Sequence, residues 1–166
     1  MGAAHEANEI SLLDRVKIQA EVLVPLLHRL RTELGTAPAN ALVAEVLRDW
    51  QRSVHERIAA EMPGEGFEKL GAMMAAKMPL VRDAITVEWG TVDPPKLMEF
   101  KVTRCAFADF FREIGEPELG ALLACEGDLY DVAAAGGGVE LQRSATIMHG
   151  AAACDFRYRK TTPEDP

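Results

Sequence analysis

Hydrophobic positions recur with two different periods along this chain, and the change of period divides it. Ile10, Leu13, Val16, Ala20, Leu23, Leu27, Leu30 and Leu34 are spaced by three or four, which predicts one apolar stripe on a helix. Ser11, with Asp14 three residues on, is placed to cap its start, and Gly35 to stop it. Pro25 falls inside and predicts a kink or break near Val24. A second helix is expected from Pro38, carrying Leu42, Val43, Val46, Leu47, Trp50, Val54 and Ile58 to the Met62-Pro63-Gly64-Glu65-Gly66 stop. A third runs from Phe67 to Met78 and ends at Pro79.

The period then drops to two. Ala84 to Trp89 and Leu97 to Thr103 alternate like strands around the Asp93-Pro94-Pro95 loop and predict a hairpin. Ala106 to Ile114 reads as a helix. Another begins at Pro117 and reaches about Ala135, before the Gly136-Gly137-Gly138 turn. Val139 to Met148 and Cys154 to Lys160 read as two more strands. The order is three helices, two strands, two helices, two strands. Segregated runs of this kind predict an α+β fold: helices packed on an antiparallel sheet of about four strands, with a helix pair between two hairpins. One domain over 10–160 is expected, flanked by polar, disordered segments at 1–9 and 161–166.

With 166 residues, 48% of them hydrophobic, the chain is long enough to bury a core without staples. A net charge of −8 argues against nucleic-acid or anionic-membrane partners, which need a basic patch. The first residues lack the basic and apolar regions of a signal peptide, and no apolar run approaches about 20 residues. Three cysteines without a CxxC pair fit a reducing, cytoplasmic setting better than a zinc ribbon or redox motif. No cofactor or metal is expected, since no ligand spacing supports one; metal analysis would test a site built from the cysteines, His149 and Asp128.

Candidate chemistry gathers in the last third. Cys105 stands where a strand hands over to a helix. Unpaired N–H groups there, with Arg104 beside it, would favour a thiolate; the competing reading is a small buried apolar residue. Cys125 and Asp128 share a helix face, where Asp128 can orient water or act as a base, whereas Glu126 points elsewhere and is read as solvated. On the last strand Cys154, Phe156 and Tyr158 share one face, and Asp155 and Arg157 the other. That is either a core face with a solvated ion-pair face, or a cleft in which Arg157 clamps a substrate carboxylate. His149, in a loop, is a candidate base or an exposed histidine. His5, His28 and His55 have no partner at ligand spacing and are read as structural. The triple glycine follows a helix rather than opening one and is a turn, not a phosphate loop.

The run Val102 to Leu119, with Thr103-Arg104-Cys105-Ala106-Phe107-Ala108-Asp109-Phe110-Phe111, resembles the middle block of the L-2-amino-thiazoline-4-carboxylate hydrolase family. Cys125-Glu126-Gly127-Asp128, Leu141 to Ile147 and Cys154-Asp155-Phe156-Arg157-Tyr158 resemble its later blocks, and Ile10 to Pro25 its opening helix. Ala151-Ala152-Ala153 and Ala106 depart from the family's pattern, which bears on the substrate. The resemblance implies a hydrolase that opens a small carboxylate-bearing ring at a cyclic C–N, amidine-like bond, giving N-carbamoyl-L-cysteine in the founding case. It implies catalytic roles among Cys105, Asp128, Cys125, Cys154 and His149, and substrate binding by Arg104, Arg157 and Asp155. A non-catalytic small-molecule-binding domain, similar at fold level to 4-vinyl-reductase-like domains, is the alternative. An uncovered apolar helix face would make a homo-oligomer.

Overall fold

The structure is a computed structural model that describes residues 10–161; the segments expected to be disordered, 1–9 and 161–166, lie outside the described residues except for Thr161, whose amide donates to the Gly138 carbonyl at 2.7 Å. Helices α1 (Leu12–Leu34), α2 (Thr36–Ala60) and α3 (Phe67–Val81) come first. They are followed by β1 (Ile85–Asp93), β2 (Leu97–Cys105), α4 (Ala106–Glu113) and α5 (Pro117–Gly120). A π turn (Ala121–Cys125), α6 (Gly127–Ala135), β3 (Val139–Gln142), a 3-10 turn (Ile147–His149) and β4 (Cys154–Lys160) complete the chain. The four strands form one antiparallel sheet in the order β1-β2-β4-β3. The fold is α+β, helices first and then sheet, as the segregation of periods implies.

The Ser11 hydroxyl accepts the Asp14 amide at 3.0 Å, so the expected cap forms. Pro25 does not break α1, nor Pro79 α3. Each removes one backbone bond, and burial of Val16, Ala20 and Leu27 on either side of Pro25 keeps α1 one element. Glycine earns its place where the turn after α6 meets the loop before α3. A side chain on Gly137 would lie 2.8 Å from the Gly66 backbone, both residues have positive φ, and the Gly66 amide donates to the Ala135 carbonyl at 3.0 Å. This close approach ties the start of α3 to the end of α6.

The strand expected over 139–148 is shorter. After Gln142 the chain leaves the ladder, because Asp155 captures the amides of Ser144 at 3.0 Å and Ala145 at 2.6 Å. β4 alternates as expected: Cys154, Phe156 and Tyr158 are buried and Arg157 is exposed. Phe156 stacks on its cross-strand partner Phe100 with centroids 4.7 Å apart. The core lies between this inner sheet face and the helices, with Phe111, Leu70, Leu119, Met148 and Tyr158 deepest. α6 packs on α2 and α3 and meets β3, so its side chains stand at the junction of helices and sheet. On α1 and α2, Ile18, Val22, Leu26, Val46 and Trp50 remain exposed.

Candidate active site

The junction around α6 holds a group of charged side chains that the surrounding elements bury. The segment before α6 is a π turn closed by the Glu126 amide on the Ala121 carbonyl at 2.9 Å. A π turn leaves carbonyls without helical partners. Buried Gln51 of α2 donates to two of them, Leu122 at 3.1 Å and Leu123 at 3.2 Å. Arg143 donates to a third, that of Cys125, at 3.0 Å. The π turn thus sets Cys125 beside an arginine.

Asp128 lies in the first turn of α6, where the helix dipole favours a carboxylate. It accepts from Arg143 at 2.9 Å and from Lys77 of α3 at 3.2 Å. Asp131, three residues on and on the same face, bonds the same Lys77. Its other oxygen meets Nδ1 of His55, from α2, at 2.6 Å. Asp131 is only 4% exposed and His55 12%. Burial alone would raise the Asp131 carboxyl, but the His55 hydrogen bond and the Lys77 charge outweigh it and hold it below the usual range. Burial likewise works against the Lys77 ammonium, and Asp128 and Asp131 more than offset it, so its pKa lies above the ordinary lysine value. Two cations and two carboxylates balance in this network.

Arg143 joins the network to the sheet. Its guanidinium stands 5.2 Å from the Phe156 ring centre while its nitrogens face Asp128 and the Cys125 carbonyl. The chain just beyond it is pinned to β4: Asp155 takes the Ser144 and Ala145 amides and the Ser144 hydroxyl, and the Cys154 sulfur accepts the Ile147 amide at 3.2 Å. Burial would raise the Asp155 carboxyl, but these donors hold it lower.

The three thiols lie close enough for their charges to interact, and Cys125 and Cys154 also feel Arg143 and Asp128. Burial raises all three above the ordinary thiol pKa. It pushes Cys125 up to about 12, against a smaller opposing effect of Arg143. The helix-start effect expected at Cys105 is present, since the Ala108 and Phe107 amides lower its pKa, but burial is larger and the net shift is upward. In each case burial disfavours the thiolate.

Cys105 and Cys125 pack against the core that holds Cys154, and Arg143 joins the Cys125 carbonyl to Asp128. Asp155 supports the Arg143 segment. The other sequence candidates stand elsewhere. Arg104 is exposed, with one nitrogen 3.5 Å from the Asp83 carbonyl. Arg157 is exposed and pairs with Glu99 at 3.3 Å. His149 bonds Thr146 at 2.9 Å and borders a separate cavity of about 210 Å3 with Arg31, Arg48 and an apolar floor that includes Leu27, Val43 and Leu122. Among the described residues no three His, Cys, Asp or Glu side chains are arranged to hold a metal. Lys77, Asp131 and Arg143 carry no candidate role in the sequence, and His55 reads there as structural. The three-residue spacing of Asp128 and Asp131 was the one local signal for a shared acidic face.

A family model described as L-2-amino-thiazoline-4-carboxylic acid hydrolase matches residues 15–158. No curated protein matches the chain. Among solved structures, the phenol-responsive sensory domain of the transcription activator PoxR with phenol aligns at 17% identity and a TM-score of 0.49, over 83% of this chain and 72% of that one.

Proposed function

This chain belongs to the L-2-amino-thiazoline-4-carboxylic acid hydrolase family, and we propose that it hydrolyses a small carboxylate-bearing ring at its amidine-like carbon. The observation that carries the reading is the network of Asp128, Asp131, Lys77 and Arg143 beside Cys125 at the α6 junction. For the aminothiazoline, water adds to the C=N carbon and the ring then opens at the carbon–sulfur bond, which leaves N-carbamoyl-L-cysteine. The same attack on a ring without sulfur would break a C–N bond.

Water is the nucleophile in this reading. A thiolate is the reactive form of cysteine, and burial disfavours it at Cys105, Cys125 and Cys154. Cys125 stands beside the centre, Asp128 and Lys77 shape its field, and Arg143, committed to Asp128 and the Cys125 carbonyl, holds Asp128 in place. Incubation with L-2-amino-thiazoline-4-carboxylate tests the proposal. One new thiol and one N-carbamoyl-L-cysteine are expected per substrate consumed, and Cys105→Ser is expected to retain turnover.

One observation favours a second reading, a non-catalytic small-molecule-binding domain. The apolar-floored cavity beside His149 lies apart from the thiols. Folded protein that turns over no ring substrate, yet binds a small amphipathic ligand competed away by Val43→Trp, would select it.

A further inference from the structure

We infer that His55 is the catalytic base of this centre, its Nε2 taking protons from the attacking water while Asp131 and Lys77 hold the ring in one orientation. The inference rests on the hydrolytic reading above. An imidazole base needs one nitrogen committed to an orienting group and the other open. His55 meets both conditions. Its Nδ1 is bound to Asp131 at 2.6 Å, and Asp131 is in turn held from its other oxygen by Lys77. Its Nε2 has no hydrogen-bond partner among the described residues, yet no buried side-chain nitrogen or oxygen there lacks one, so Nε2 is not sealed from solvent.

The neighbouring backbone fits this assignment. Buried Gly127 lies against the Cε1–Nε2 edge of the ring, and a methyl group there would stand 3.3 Å from both atoms. Glycine at the first position of α6 lowers helix propensity relative to alanine, but it spares the Nε2 edge a side chain. The ionisable groups around the ring are Asp131 and Tyr130 from α6 and Lys77 from α3, with Asp128 behind Lys77 and Arg52 on α2 itself.

The proton traffic balances through one nitrogen. As the water oxygen bonds the C=N carbon, His55 Nε2 takes one proton and returns it to the ring nitrogen, which has received the π pair. As the C=O forms and the carbon–sulfur bond breaks, Nε2 takes the hydroxyl proton and passes it to the leaving sulfur. Both protons of water end on the product.

Steady-state kinetics across pH on wild type, His55→Gln and Gly127→Ala test the inference. For His55→Gln a fall in kcat of about 10²- to 10⁴-fold is expected, with KM nearly unchanged. Gly127→Ala is expected to keep or raise Tm and still lower kcat by roughly ten- to a hundred-fold, which separates obstruction of Nε2 from loss of fold. Wild-type turnover with an unchanged kcat and pH profile in His55→Gln overturns the assignment and leaves the hydrolase reading standing. If wild type opens no ring substrate, that reading fails by itself, and carbethoxylation of the folded protein mapped by mass decides on His55. Labelling at His55, slowed in Asp131→Asn, upholds an open and oriented Nε2; an unlabelled His55 overturns it.

Discussion

Two buried carboxylates in this protein have the same kinds of partner and different surroundings. Glu116, just before α5, is held by both terminal nitrogens of Arg31, at 2.5 and 2.9 Å, and by His28 at 2.8 Å. Asp131 is held by Lys77 and by His55. Each is nearly inaccessible, and each has its pKa lowered by its partners against the opposing effect of burial. The difference lies in where the histidine stands: each has one ring nitrogen on the carboxylate and one without a hydrogen-bond partner among the described residues, but His28 is 57% exposed and His55 only 12%. Arg31 spends its fork on Glu116 and its Nε on Asn40, and His28 turns its Nε2 inward to the carboxylate. That arrangement is a clamp between α1, α2 and α5. Lys77 is shared between two carboxylates, and the nearly buried His55 keeps Nε2 free. A paired buried charge therefore says little about function. The setting of the histidine, at the surface for His28 and nearly buried beside Lys77 and Asp131 for His55, is what distinguishes the two pairs.

The sharpest way to break this comparison is to remove the cation from each side. Arg31→Met and Lys77→Met should each destabilise by about 3–5 kcal/mol in denaturant titrations, because a carboxylate is left buried and underpaired. Turnover per folded molecule should survive only in Arg31→Met. Equal loss of turnover in both would erase the distinction.

Acid should act on both sites alike. Their pKa values are lowered in the folded state, so the stability they contribute is present above the unfolded carboxylate value, about 4, and is lost as pH falls through the lower folded value. Lys77 has the opposite sign. Its raised pKa makes its contribution complete below the unfolded value near about 10.4 and lost only as pH rises through the higher folded value. Thermal melts from pH 2 to 11 should show wild type losing acid-limb steepness in Glu116→Gln and alkaline-limb steepness in Lys77→Met.

The thiols sharpen the comparison from the chemical side. Iodoacetamide should alkylate folded protein at pH 7 far more slowly than unfolded protein, since burial disfavours each thiolate. Cys105→Ser should keep kcat within about tenfold, an effect no larger than 1.4 kcal/mol. The smallest effect belongs to a site remote from both carboxylates. Ser11→Ala removes the α1 cap and should cost about 1 kcal/mol with kcat unaltered.

Periodicity was a good guide where structure is local. The β4 alternation, the β1–β2 hairpin and the handover from β2 to α4 at Cys105 all follow from residue spacing. No break occurs at Pro25, and α3 continues past Pro79, because tertiary burial outweighs one missing backbone bond. The length of β3 misled because Asp155, a side chain eleven residues away from Ser144, competes for the amides that would have continued the ladder. The π turn left no mark in the hydrophobic pattern. The least legible part was the network. His55 and Asp131 are 76 residues apart, and Lys77 and Asp131 are 54 apart. Helical spacing tells which side chains share a face, not which distant helix that face will meet. His55 therefore read as structural until α2 and α6 were seen together.

The most direct measurement is the mass-resolved fate of L-2-amino-thiazoline-4-carboxylate with folded wild-type protein and with Lys77→Met. The account predicts N-carbamoyl-L-cysteine in step with substrate loss for wild type, and its disappearance per folded molecule in the variant. Substrate untouched by folded wild type, or turnover undiminished in Lys77→Met, would contradict it.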